Sequence, residues 1–251
     1  MGCWWGAKIF NFVLTLGTIV GLATSSLAFS AASESLVNAV DDVDPSLQVN
    51  LAYNTRNNFL ERHVSGYSAN KCLLKEAAAR ALSLANQTLL RNNLRLVLRD
   101  CWRPRRASLD MVSWAQATDE KNMRRSNMSE HELEIFDDAR LFDLSGFLRT
   151  TRLLNLGYLL NFSNHNKGST VDVELEIQNG GSWELLDMGT NFDVFSPKAS
   201  HGANMGAAVN ARRRMLEHVM GAEGFVSIPT EWWHWTHSAS NKGPYLDGEV
   251  R

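Results

Sequence analysis

Residues 170–178 read TVDVELEIQ, an alternation that suits an extended strand with one buried face. Val171, Val173, Leu175 and Ile177 fall on one side, and Asp172, Glu174 and Glu176 on the other. Asn179-Gly180-Gly181 then reads as a turn, with WELLDMG (183–189) as the hairpin partner. Leu94 to Arg99, LRLVLR, alternates in the same way, and FVSIPTEWWHW (225–235) reads as a last strand in which Pro229 marks an edge or bend.

The remaining segments read as helices. The spacing of Ala and Leu predicts an amphipathic helix over Asn70 to Leu90. A second is expected to open after Pro104, and a third at Ser129, where Glu132 completes a capping box. A fourth covers Phe147 to Leu156 and stops at Gly157, and a fifth runs from Asn204 to about Gly221 with Arg212, Arg213 and Arg214 on a solvated face. Helices precede most of the strands, and there is no βαβα rhythm and no internal repeat. The expected class is α+β, a mainly antiparallel sheet with helices packed on one face.

The N-terminus places Lys8 before an apolar run from Ile9 to Ala23, with Ser26 and Ala28 at the −3 and −1 positions of a cleavage site. That run is shorter than the roughly 20 apolar residues of a membrane span. Residues 1–28 are therefore expected to be a signal peptide, 29–50 a polar, loosely ordered lead-in, and 51–251 a single domain. The expected location is the periplasm or cell envelope, with no stable membrane insertion once the leader is cut. Export leaves Cys72 and Cys101, which an oxidising compartment can pair or leave as two buried thiols. Lys plus Arg is 25 against 27 Asp plus Glu, which argues against a partner held through nucleic-acid phosphates.

Among seven histidines, two stand in unusual company. His165 lies in SNHNKGSTVD, seven residues before Asp172, and His234 lies three residues after Glu231 in EWWH. A hydrolytic zinc site needs three N or O ligands, one open position and a carboxylate that takes a proton from water. His165, Asp172 and His234 suit the first requirement and Glu231 the last. From spacing alone, His234 reads equally as a packed strand histidine, and Asp172 as an outward-facing carboxylate.

The ordered series GY (66–67), DCWRP (100–104), SNHNKGSTVD (163–172), MGTNFD (188–193) and EWWH (231–234) resembles the D-alanyl-D-alanine dipeptidase family. These are zinc peptidases related to peptidoglycan D,D-carboxypeptidases and to the hedgehog fold. The likeness spans about residues 51–235. It implies one Zn2+ per subunit on His165, Asp172 and His234, in a cleft on the sheet face away from the helices. It further implies Glu231 as general base, Arg103 as the oxyanion donor, Asp193 as acceptor of the substrate ammonium, and Tyr53 and Ser163 as pocket lining. The expected reaction is hydrolysis of D-Ala-D-Ala to two D-Ala in peptidoglycan turnover. A D,D-carboxypeptidase acting on stem peptides, or a non-catalytic zinc-containing peptidoglycan-binding module, are the alternatives. Trp102 departs from the family's usual Tyr, and Asn164 and Asn166 from its smaller or hydroxyl residues. His201 is expected at the cleft border or on an exposed loop, and His237 outside the ligand set. His63, His131 and His218 read as surface, and Trp232 and Trp233 as pocket walls.

Overall fold

The computed structural model describes residues 35–119 and 123–251; the leader expected over residues 1–28 lies outside them. Strand β1 (Leu36–Asn38) pairs antiparallel with β3 (Leu73–Lys75), and β2 (Gln48–Val49) joins a second, larger sheet. Helix α1 (Glu76–Leu90) follows β3 directly and leads into β4 (Leu94–Asp100). Helices α2 (Arg105–Asp119), α3 (Glu130–Ile135) and α4 (Arg152–Asn155) precede β5 (Thr170–Asn179) and β6 (Ser182–Leu185). Helix α5 (Ala207–Ala222) and the pair β7 (Phe225–Ile228) and β8 (Glu231–His237) complete the order. The larger sheet runs β2-β4-β5-β8-β7, with β6 hydrogen-bonded to the far end of β5. Every pairing in it is antiparallel except β2 with β4. The class is α+β.

Alternation in β5 and β4 drives the packing. Val171, Val173, Leu175, Leu96 and Leu98 are fully buried in one core with Ala78, Leu82, Ala85 and Leu89 of α1. Each large apolar side chain withdrawn from water stabilises by about 1.5–3 kcal/mol. Asn86, also fully buried on α1, accepts the Leu96 backbone N–H at 3.0 Å, pinning helix to strand. The alternate residues, Arg95, Arg99, Asp172, Glu174 and Glu176, go to the opposite face. Helix α2 engages irregular segments on that side of the chain: Trp114 meets Phe59 and Phe136, and Ser108 accepts from Asn166.

Several sequence expectations are corrected. Residues 36–49 are ordered, because the buried Asp44 accepts from Ser46, Ser83 and Gln87 and so fastens the segment to α1. The helix expected from Asn70 starts at Glu76, since β1 captures Leu73–Lys75 as a strand. Of residues 147–156 only Arg152–Asn155 is helical; Phe147 and Leu148 form bridges with Arg124 and Phe142 after the turn capped by Asp143. Helix α5 continues through Gly221 to Ala222. The single last strand is a hairpin, because Pro229 and Thr230 form a turn between β7 and β8. Arg213 is 3% exposed and donates to the carbonyls of Met188, Lys198 and Ser200, so one of the three consecutive arginines is a buried clamp.

Candidate metal and catalytic site

Strand register assembles the site. Asp100 on β4 lies opposite Asp172 on β5, which lies opposite His234 on β8, so three strands deliver their functional groups in one row. An irregularity between Leu98 and Asp100 re-aims the end of β4. His165 arrives from the turn before β5. Ser163 accepts the His165 N–H, and its own N–H donates to Asn166 Oδ1 at 2.8 Å, which closes the turn. Gly168 ends it at φ +71°, where a Cβ would run into Leu36, so glycine is required there.

His165 donates from Nδ1 to the Cys101 carbonyl at 2.8 Å, which fixes the ring with Nε2 facing the site. His165 Nε2 is 3.3 Å from His234 Nδ1 and 3.3 Å from Asp172 Oδ1, and His234 Nδ1 is 3.2 Å from Asp172 Oδ1. A tetrahedral ion bound at about 2.0–2.1 Å sets its ligand atoms about 3.3–3.4 Å apart. The triangle therefore has the dimensions of three corners of such a site. Asp172 Oδ1 is buried with no hydrogen-bond donor among the described residues, an arrangement that is costly unless a cation lies against it. Burial opposes its charge, yet His165 and His234 hold the carboxyl well below its ordinary range.

Around the triangle stand the other candidates. Glu231 Oε2 is 3.6 Å from His234 Nδ1; burial pushes its carboxyl up to about 7, against the pull of His234. Arg103 donates from Nε to Asp100 Oδ2 at 2.9 Å, keeps Nη2 2.8 Å from the same carboxylate, and lies over the Tyr53 ring at 5.1 Å. Tyr53 donates to Asp193 Oδ2 at 2.8 Å, and burial with the nearby Asp172 charge pushes Asp193 up to about 8. Tyr53, Arg103, Ser163, His165, Asp172, Asp193, Glu231 and His234 all line one cavity of about 130 Å³. Trp233 walls the same cavity, whereas Trp232 is fully buried and bonds Thr190. Cys72 and Cys101 are joined, with Cα atoms 5.3 Å apart.

The remaining histidines stand apart from the triangle. His237 turns to Ser240, His201 packs edge-on against Trp235, and His63, His131 and His218 are exposed. Three groups gained no role from the sequence. Asp100, fully buried, also accepts the Tyr67 hydroxyl at 2.5 Å and lies 3.4 Å from His165 Nδ1, so it positions the guanidinium beside the imidazole. Asn166, an apparent departure at the sequence level, is fully buried and donates to the Arg103 carbonyl and to Ser108, tying the two motifs together. Tyr158 adds a half-buried wall whose hydroxyl is 3.4 Å from Asp138. The strings DCWRP and GY contained Asp100 and Tyr67, but the contact between them spans 33 residues and has no local signature.

The model of the D-ala-D-ala dipeptidase family, Peptidase_M15, matches residues 33–247. The chain belongs to the D-ala-D-ala dipeptidase family. Among its relatives, the D-alanyl-D-alanine dipeptidase of Streptomyces coelicolor is 31% identical over 198 residues, covering 78% of this chain and 89% of that one. The Enterococcus faecalis enzyme of the same name is 29% identical over 197 residues, covering 78% and 88%. That of Escherichia coli is 24% identical over 203 residues, covering 80% and 84%. The family match takes in the segment from residue 36 onward that composition alone had set aside as a lead-in. It also spans all five motifs; four of them line the cavity, and Tyr67 of the fifth bonds Asp100 behind it.

Proposed function

We propose that this chain is a zinc-dependent dipeptidase that hydrolyses D-Ala-D-Ala. The observation that carries the reading is the ligand triangle, sized for a tetrahedral ion, with a partly buried acid beside it in one small cavity. His165 Nε2, His234 Nδ1 and Asp172 Oδ1 would hold the ion. When bound, zinc supplies a Lewis acid that polarises the scissile carbonyl and makes water acidic enough to attack near neutral pH.

The chain's own groups supply the remainder. Glu231 accepts the proton of the attacking water as its oxygen bonds to the carbonyl carbon. The same carboxyl returns that proton to the departing nitrogen as the C–N bond breaks. Arg103, fixed through Nε and Nη2 by Asp100, donates to the oxygen on which negative charge develops. Asp193 receives the substrate's free ammonium, and Tyr53 holds that carboxylate in place. An acylated N-terminus would present an uncharged amide there and leave Asp193 without a cationic partner, which disfavours longer stem peptides. Ser163 lines the cavity and at the same time holds the turn that carries His165.

The leader read over residues 1–28 and the pairing of Cys72 with Cys101 support an exported protein of the periplasm or cell envelope. There the dipeptide would come from peptidoglycan turnover. The purified mature chain should cleave D-Ala-D-Ala, lose that activity to a chelator, and leave L-Ala-L-Ala and N-acetyl-D-Ala-D-Ala largely intact. Equal rates on the free and the acetylated dipeptide would favour the carboxypeptidase reading instead.

A further inference from the structure

A second cavity of about 280 Å³ lies next to the first, and Phe59 and Asp193 line both. It is smaller than the roughly 300–1,000 Å³ of pockets for drug-sized ligands. Glu134, Asp193 and His131 line it, and two further charged side chains come from the strands that build the metal site: Arg99, adjacent to Asp100 on β4, and Glu174, two residues beyond Asp172 on β5. Each side chain is only 12% exposed. Arg99 Nε is buried without a hydrogen-bond partner, and its closest approach to Glu174 Oε2 is 3.5 Å. Among the described residues the guanidinium makes no hydrogen bond, and its other contact is the face of Phe192 at 5.4 Å. By contrast, Arg95 and Glu176 on the same two strands close to 2.6 Å. A planar donor fork that makes no hydrogen bond and only a long ion pair is suited to a carboxylate it can grip with two bonds. Glu174 beside it offers a charge of the opposite sign, and burial pushes its carboxyl up against the opposing pull of Arg99. Phe59, Ile135, Leu185 and Phe192 leave room for an apolar substituent, and the Glu134 and Asp193 carboxyls on the same lining add negative charge that favours the ammonium end of a ligand.

We propose that this second cavity binds a small free α-amino acid, its carboxylate on Arg99, its ammonium on Glu174 and its apolar side chain against Phe192 and Ile135. The cavity shares Phe59 and Asp193 with the catalytic pocket but would take its ligand on Arg99 and Glu174, so it does not depend on the hydrolase reading, although the products of that reaction fall in the same chemical class.

Calorimetric titration of the metal-loaded full chain with D-alanine, L-alanine, propionate and phosphate tests this. At least one alanine enantiomer is expected to saturate at millimolar concentration, and propionate and phosphate to bind at least tenfold more weakly. Arg99→Gln and Glu174→Gln are each expected to weaken alanine binding at least tenfold. His165→Ala, which removes a metal ligand, should leave it within twofold. If one cavity variant fails a far-UV circular dichroism check, the other carries the same comparison. No saturable alanine binding, propionate as tight as alanine, or equal affinity in wild type and the folded variant would overturn the proposal. Turnover of D-Ala-D-Ala does not enter this readout, so a failed hydrolase assay and a failed titration remain separate results.

Discussion

Glu231 and Asp193 are two partly buried acids with different proposed tasks, and their surroundings differ accordingly. Glu231 borders the ligand triangle, while Asp193 is held by Tyr53. Glu231→Ala should lower kcat by about 10²–10⁴-fold, the range for a lost general base. Its metal content, read by elemental analysis, should stay near the wild-type value; unchanged kcat would exclude Glu231 as the base. The base must be ionised to work, so kcat/KM is expected to fall as pH drops through its pKa. Burial, against the pull of His234, places that near 7, and a cation on the neighbouring ligands lowers it, so the acid limb should lie at or below about pH 7. For Asp193→Asn, the expected change is a large rise in KM for D-Ala-D-Ala and a much smaller preference over the N-acetylated dipeptide. A variant that kept the full preference would show that the ammonium is read elsewhere. The proposed ligands and base stood out in the sequence through the family resemblance, because His165, Asp172, Glu231 and His234 fall in short strings, whereas their spacing alone left His234 and Asp172 open. The role of Asp100 was not, because its meaning comes from Tyr67 and Arg103 converging on one buried carboxylate.

At the level of elements, strands β4, β5 and β8 work as a jig whose register sets the distances in the site. The Cys72–Cys101 link ties β3 to the end of β4, and the Cys101 carbonyl is the acceptor that orients His165. Replacing both cysteines by alanine should cost about 3–4 kcal/mol of stability by the chain-entropy estimate. It should also weaken metal retention, measured by competition with a chelator; retention equal to wild type would sever the link from the ligand. A second element-scale test concerns the fastening of residues 36–49 to α1. Ser46, Ser83 and Gln87 hold the Asp44 carboxyl below its ordinary range even though burial opposes its charge. A folded pKa below the unfolded one stabilises above the unfolded value, and that gain is lost as pH falls through the folded value. Asp44→Asn should therefore melt at a lower temperature than wild type at pH 7, with the gap shrinking toward pH 3. A gap that did not depend on pH would contradict the assignment.

Across the described residues, the class and the segments over β4, α2, α3, β5, β6 and α5 followed from periodicity, turn and cap signals, while the errors cluster where tertiary contacts override local pattern. Leu73–Lys75 has helical spacing, yet β1 draws it into a strand. The segment FVSIPTEWWHW has uniform strand propensity, and only the turn at Pro229 and Thr230 divides it into the hairpin that presents Glu231 and His234. Residues 36–49 look polar because of Asp41, Asp42 and Asp44, yet Leu36, Val37, Val40, Val43, Leu47 and Val49 pack on the core and Asp44 fastens the segment to α1. Arg213 lies in a run of charge that suggests solvent, but three backbone carbonyls converge on it. Among the described residues no helix is long and apolar enough to cross a membrane.

The central claim is that one divalent ion on His165, Asp172 and His234 drives peptide hydrolysis. The rate of D-Ala-D-Ala cleavage, followed through chelation and stepwise return of zinc, tests it most directly. The expected result is loss of turnover on chelation and full recovery at one equivalent of zinc per chain. Turnover that persists in a folded sample shown to be free of metal would contradict it.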